Sequence, residues 1–152
     1  MYTKLMTFVS IGFAIAFAIP AIGLAQEPDS LPKEPENNAQ ASLQKDMQGV
    51  WLLAGKPGAE IEPQPGARIK FFGHGYWTIT ESDPKTGEVI FHHGGTYSLE
   101  GDKYTERITF ANDSTKQMIG SEFKFAITVK DGRFTQIGDG NPFTEIWIRP
   151  AE

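Results

Sequence analysis

Gly49-Val50-Trp51, read together with Glu145-Ile146-Trp147-Ile148-Arg149, decides how this chain folds. The first triplet opens the earliest stretch that reads as a β-strand, and the second stretch is the last. If these two strands pair, the sheet closes on itself and Arg149 reaches the indole face of Trp51. Such a cation–π contact is worth roughly 0.5 to 2 kcal/mol, depending on desolvation. The plainer alternative makes Trp51 one more core aromatic.

Between the two ends the pattern is one of short strands and turns. Residues 50–54 form the first strand, and residues 55–66 form a loop with three prolines and three glycines. Residues 67–72 alternate, with Ile69 and Phe71 on one face and Arg68 and Lys70 on the other. Gly73-His74-Gly75 turns the chain into residues 76–81, where Trp77 and Ile79 share a face. Asp83-Pro84-Lys85-Thr86-Gly87 is turn chemistry, because proline presets one dihedral and glycine admits a positive one. Residues 88–99 form a strand interrupted by Gly94-Gly95, a pair that marks a bulge or sharp bend. Residues 103–111 place Tyr104, Glu106, Ile108 and Phe110 on one face. Residues 121–130 oppose Phe123, Phe125, Ile127 and Val129 to Glu122, Lys124 and Thr128. Asp131-Gly132 is a hairpin turn, and residues 133–137 and 143–149 complete about eight strands, the spacing of an antiparallel barrel or sandwich.

The G-x-W start, the terminal arginine and the strands between them resemble the lipocalin-like (calycin) superfamily, and more closely its small exported bacterial domains of unassigned function. The resemblance covers residues 48–150. It implies an all-β, antiparallel up-and-down barrel of about eight strands. It also implies barrel closure by Trp51 and Arg149, a short helix plugging one end, and a small-molecule ligand inside. Residues 42–48 supply that helix as a single turn, with Ser42 as its cap and Leu43 and Met47 on one face.

The start of the chain reads as an export signal. Lys4 is basic, residues 8–24 are almost wholly apolar, and Gly23-Leu24-Ala25 precedes Gln26 with the small residues a signal peptidase needs. Residues 1–25 are therefore expected to be a signal peptide and the protein secreted or periplasmic. An uncleaved membrane anchor is the competing reading and would be the protein's one association with a membrane. Residues 26–45 are Pro-rich, charged and poor in large apolar side chains, so they are expected to form a disordered leader to a barrel domain spanning residues 46–152. The absence of cysteine in 152 residues excludes lipoprotein attachment and disulfides. The core must then stabilise the fold alone, and 39% hydrophobic residues supply the material. A formal net charge of -5 repels a phosphate backbone, so no nucleic-acid partner is expected.

A barrel of this size holds packed side chains or one small ligand. Taking the more apolar face of each strand as inward puts Tyr104 and Glu106 in the interior, Gln136 beside Phe134, and Glu145 beside Trp147. With Phe125 these are the candidate ligand-binding residues: aromatic walls with a few convergent polar groups. A buried carboxylate among them would favour a cationic or hydroxyl-bearing ligand. The alternative pairs Glu106 with a lysine or arginine in a network that only fixes the fold, and Ile146 and Ile148 would support turning Glu145 outward.

No metal or cofactor is expected. His92 and His93 are neighbours on a strand and point to opposite faces, so they do not easily share an ion; solvent or loop positions suit the three histidines better. Catalysis has little support. There is no cysteine and no G-x-S-x-G elbow, and a Glu106–Glu145 pair acting on a glycoside is the minimum equipment an enzyme reading has. The leading expectation is sequestration of a small, partly apolar ligand. The second is a cell-envelope structural or interaction module with a filled barrel.

Overall fold

The structure, a computed structural model, describes residues 34–151. The segment read as a signal peptide, residues 1–25, and the first part of the segment read as a leader lie outside the described residues. One helix precedes nine strands: α1 (Glu34–Met47), β1 (Gly49–Lys56), β2 (Ala59–Glu60), β3 (Ile69–Gly73), β4 (Tyr76–Ser82), β5 (Val89–Glu100), β6 (Lys103–Ala111), β7 (Glu122–Lys130), β8 (Arg133–Asp139) and β9 (Glu145–Ile148). Each strand from β3 onward pairs antiparallel with the next, and β9 pairs back onto β1, so eight strands close a barrel. The two-residue β2 folds back on the end of β1 within the loop.

Closure occurs where the end residues suggest. The Arg149 guanidinium carbon lies 4.2 Å from the centroid of the Trp51 ring. Trp51 Nε1–H donates to the Met47 carbonyl at 2.7 Å, and Arg149 Nη2 donates to the Asp46 carbonyl at 2.7 Å. Both ends of the barrel wall are thus tied to the last turn of α1. Gly49 is required by this arrangement. Its φ is +103°, and a Cβ there would stand 2.9 Å from Arg149 Nη1.

Helix α1 is longer than the single turn expected, taking in the second half of the segment read as a leader. A proline in a first turn costs no helical hydrogen bond, because the first amides lack intrahelical partners anyway. The other end is held by the barrel. Met47 is fully buried and Leu43 packs on the core. Gln40 Nε2 donates to the Leu99 carbonyl at 2.7 Å, and Gln48 Nε2 donates to the Tyr97 hydroxyl at 2.9 Å. Helix α1 therefore closes the barrel end that carries the β3–β4, β5–β6 and β7–β8 turns.

Two strand phases differ from the sequence reading. On β3, Lys70 and Phe72 are buried and Phe71 is exposed, the reverse of the phase inferred from Ile69 and Phe71. The hairpin explains this. A two-residue turn at His74-Gly75, with φ of 48° and 83°, pairs Phe72 with Trp77 and Lys70 with Ile79. Directly opposed residues share a face, so burying Trp77 and Ile79 draws in Phe72 and Lys70. On β6, Tyr104, Glu106 and Ile108 point inward, but Phe110 is 42% exposed. The register shifts between Gly94 and Gly95, so Gly95 faces Ile108 and Gly94 faces Phe110. That bulge, expected from the glycine pair, turns Phe110 outward. A Cβ on Gly94 would stand 2.6 Å from Phe110 Cζ, and one on Gly95 1.9 Å from the Arg107 carbonyl oxygen.

Candidate functional site

The lower half of the barrel, next to α1, is filled. Trp51, Phe134, Tyr104 and Trp147 are fully buried there, with Phe72 edge-on to both Tyr104 and Phe134. Above them lies the Lys70 ammonium, whose residue is 1% exposed. Its Nζ sits 5.2 to 6.0 Å from the ring centroids of Phe72, Trp77, Tyr104, Phe125, Phe134 and Trp147. Such rings attract a cation through their faces but do not replace its lost hydration. Glu106 does: its Oε1 forms an ion pair with Lys70 Nζ and accepts the Tyr104 hydroxyl proton at 2.7 Å. Lys70 also donates to Gln136 Oε1 at 2.8 Å, and Gln136 Nε2 donates onward to Glu145 Oε2 at 3.0 Å.

This network changes the role read for Glu106. Its carboxylate serves Lys70 and Tyr104, so the preference for a cationic ligand drawn from an uncompensated Glu106 no longer follows. Burial, with the Glu106 charge and hydrogen bond behind it, pushes the Tyr104 phenol well above its usual pKa and keeps it a donor.

Over the network lies a chamber of about 190 Å³. Lys70, Glu106 and Gln136 form its floor, and Trp77, Ile79, His93 and Phe125 contribute to its walls. Arg68, Phe91, Met118, Phe123, Phe143 and Glu145 surround its outer part, at the barrel end away from α1. Met118 belongs to a 3-10 turn, Lys116–Met118, between β6 and β7. Buried Thr115 anchors that turn by donating its hydroxyl to the His92 carbonyl at 2.8 Å. Phe123 and Phe143 meet edge to face at 5.1 Å.

Of the six ligand-binding candidates, Glu106, Phe125, Gln136 and Glu145 line the chamber, whereas Tyr104 and Trp147 lie in the packed layer beneath it. Trp147 points inward as read. Ile146 is also buried but lies outside the central core cluster.

Three polar chamber residues were missed: Lys70, Arg68 and His93. The first two follow from the phase of β3, and hairpin pairing with Trp77 and Ile79 was the signal that could have found them. His93 corrects the view of the histidines as solvent or loop residues. It is 6% exposed and edge-on to Trp77 and Phe91, whereas its neighbour His92 lies against Phe110. Among the described residues, His93 Nδ1 is a buried polar atom with no hydrogen-bond partner.

The electrostatics of the chamber follow from burial. Desolvation, then the charges of Lys70 and Arg68 and the neighbouring His92, lower the His93 pKa to about 4, so the ring is neutral at pH 7. Burial raises the Glu145 pKa; Lys70 opposes that rise and Glu106 adds to it. The two groups pull stability in opposite directions. His93 binds its proton more weakly folded than unfolded, so stability falls as pH drops from about 6.5 to about 4. Glu145 binds its proton more tightly folded, so its share is full below the unfolded carboxylate pKa and is lost as pH rises through the folded one. We expect a His93→Gln variant to lose the decline below pH 6.5, on the order of 2–3 kcal/mol, in urea unfolding measured across pH. An unchanged pH profile would show that the ring takes up its proton as readily in the folded barrel as in the unfolded chain.

No protein-family model matches this chain, and no curated protein matches it. Two solved structures do. A lipocalin-like protein from Bacteroides uniformis ATCC 8492 aligns with a TM-score of 0.51 at 16% identity, over 68% of this chain and 98% of that one. An uncharacterized protein from Bacteroides eggerthii DSM 20697 aligns with a TM-score of 0.51 at 14% identity, over 68% of this chain and 99% of that one. The shared feature at these identities is the fold: a closed, eight-stranded, lipocalin-like antiparallel barrel.

Proposed function

We propose that this lipocalin-like barrel is an exported binding protein that sequesters a small, partly apolar ligand in the chamber above Lys70. The observation that carries the reading is an aromatic-walled interior space whose polar groups are not all used by the protein itself. His93 Nδ1 and Trp147 Nε1 have no partner among the described residues, and Glu145, with the Trp147 N–H beside it, accepts one well-formed hydrogen bond, from Gln136. A barrel serving only as a structural module would have no need of that space. Here the half next to α1 is filled and the other half is not.

Size limits the ligand. A chamber of about 190 Å³ is smaller than the roughly 300–1,000 Å³ of most small-molecule sites. It is close to the roughly 150 Å³ of apolar space that accepts benzene. One six-membered ring, or a branched group of similar bulk, therefore fills it. Affinity comes from burying that group, at roughly 25 cal/mol per Å² of apolar surface.

The test is calorimetric titration with phenol, toluene and cyclohexanol, beside a Met118→Trp variant that puts an indole into the chamber's outer wall. We expect at least one ring to bind with a negative heat-capacity change, and the variant to weaken it at least about tenfold while keeping the unfolding midpoint. Absence of binding by all three would support the structural module instead.

A further inference from the structure

The chamber has a neighbour. A second hollow of about 480 Å³ lies on the same end of the barrel, between the end of β1 and the loop that runs from β2 to β3. Leu53, Ala54, Ile61, Pro63 and Ala67 make much of its lining apolar. The two spaces share two residues, Arg68 and Glu145. One guanidinium and one carboxyl thus form the waist at the boundary between a ring-sized inner chamber and a more open outer one.

Neither waist group is spent on the other. Arg68 uses Nε to donate to Glu81 Oε2 at 2.6 Å, and its guanidinium lies 4.2 Å over the Phe91 ring. Among the described residues its Nη1 and Nη2 make no hydrogen bond, so the donors of the fork's two tips are open. Glu145 accepts from Gln136 on Oε2, and the other donor beside it, the Trp147 N–H, makes no well-formed hydrogen bond to it. A chain that bridges the two spaces meets both a cationic donor and a carboxyl acceptor. A purely apolar chain would strand both groups, whereas a lone carboxylate or ammonium would satisfy one and be repelled by the other. A planar group carrying one acceptor and one N–H donor satisfies both.

We infer that the ligand is an elongated neutral molecule with an amide-type linkage at its middle. Its compact ring or branched end fills the inner chamber, its carbonyl faces Arg68, its N–H faces Glu145, and its apolar tail lies along Leu53, Ile61 and Pro63. This rests on the binding function proposed above and specifies the ligand class for the same site.

Calorimetric titration with three matched compounds tests it: N-benzylhexanamide, benzyl hexanoate, which keeps the carbonyl but lacks the N–H, and N-benzylacetamide, which keeps the amide but lacks the tail. We expect the hexanamide to bind about tenfold tighter than the ester, as a hydrogen bond to a charged group allows. We expect a similar advantage over the acetamide from burial of the tail. A Glu145→Leu variant should erase the difference between amide and ester while leaving the tail's advantage. Equal binding of amide and ester to the unaltered protein overturns the waist assignment, and that comparison needs no variant to fold. Equal binding of hexanamide and acetamide overturns the outer chamber. If either equality is found while phenol or toluene binds, the simple ring-binding function stands; if no compound of either set binds, that function falls as well.

Discussion

Replacing Lys70 with methionine is expected to lower folding stability by about 3–5 kcal/mol, the usual penalty for removing one partner of a buried ion pair. Methionine has nearly the same length and fills the same space among the rings, so packing changes little. What changes is Glu106, which is left buried with the Tyr104 hydroxyl as its donor while Gln136 Oε1 also loses a partner. Urea unfolding at fixed pH measures the loss, and an unchanged m-value would show that the same surface is still buried. The informative control is Lys70→Met combined with Glu106→Leu. Apolar replacement of a whole buried pair is often neutral or stabilising. Tyr104 and Gln136 would still lack their partners, each at roughly 1–3 kcal/mol. The double variant should therefore recover part of the loss but not all of it. A single variant within about 1 kcal/mol of the unaltered protein would mean that the interior readily admits an uncompensated Glu106, contrary to the desolvation argument.

Trp51→Ala should have an effect of similar size, about 3–5 kcal/mol, by a different mechanism. The side chain is fully buried, lies 5.6 Å from Phe134, and links β1 to the helix through its N–H on Met47. Removing it opens a cavity at the closed end and frees the last turn of α1. For a domain near 100 residues this corresponds to a fall in Tm of roughly 10–25 °C by calorimetry. Arg149→Met removes the cation from the indole face but keeps an apolar stem over it, and should cost about 1 kcal/mol. The ratio between the two variants separates burial of the tryptophan from its cation–π contact. If Arg149→Met were as damaging as Trp51→Ala, the arginine's bond to Asp46 would be the main tie between barrel and helix.

The barrel was legible because its signals are local. Turn residues at His74-Gly75, Gly101-Asp102 and Asp131-Gly132 punctuate the chain wherever positive φ values are needed at Gly75, Gly101 and Gly132, and alternation on β7 names its inner face without ambiguity. The G-x-W opening and terminal arginine announced closure, and the structure brings Arg149 against both Gly49 and Trp51. Glu106, Gln136 and Phe125 could be named because each sits on a strand whose apolar neighbours set the phase, whereas Glu145 lies on a strand apolar on both faces and was named by keeping Trp147 inside.

Lys70 was hidden for a physical reason. Phe71 and Phe72 are adjacent, so alternation alone fits β3 in either phase, and the usual preference for exposing lysine chooses the wrong one. Only pairing with β4 breaks the tie, and only the assembled barrel brings Gln136 and Glu106 to the ammonium from strands far along the chain. The same holds for Phe110, turned outward where its own strand carries an extra residue, Thr109, opposite Gly94-Gly95, and for the waist of Arg68 and Glu145, which joins the residue just before the third strand to the ninth. The sequence by itself determined the fold class, the turns and the closing contact, because these depend on residues acting within a few positions or at two marked ends. The tertiary structure decided which charges lie inside and what they neutralise, because periodicity specifies the faces of a strand but pairing register specifies which face is in.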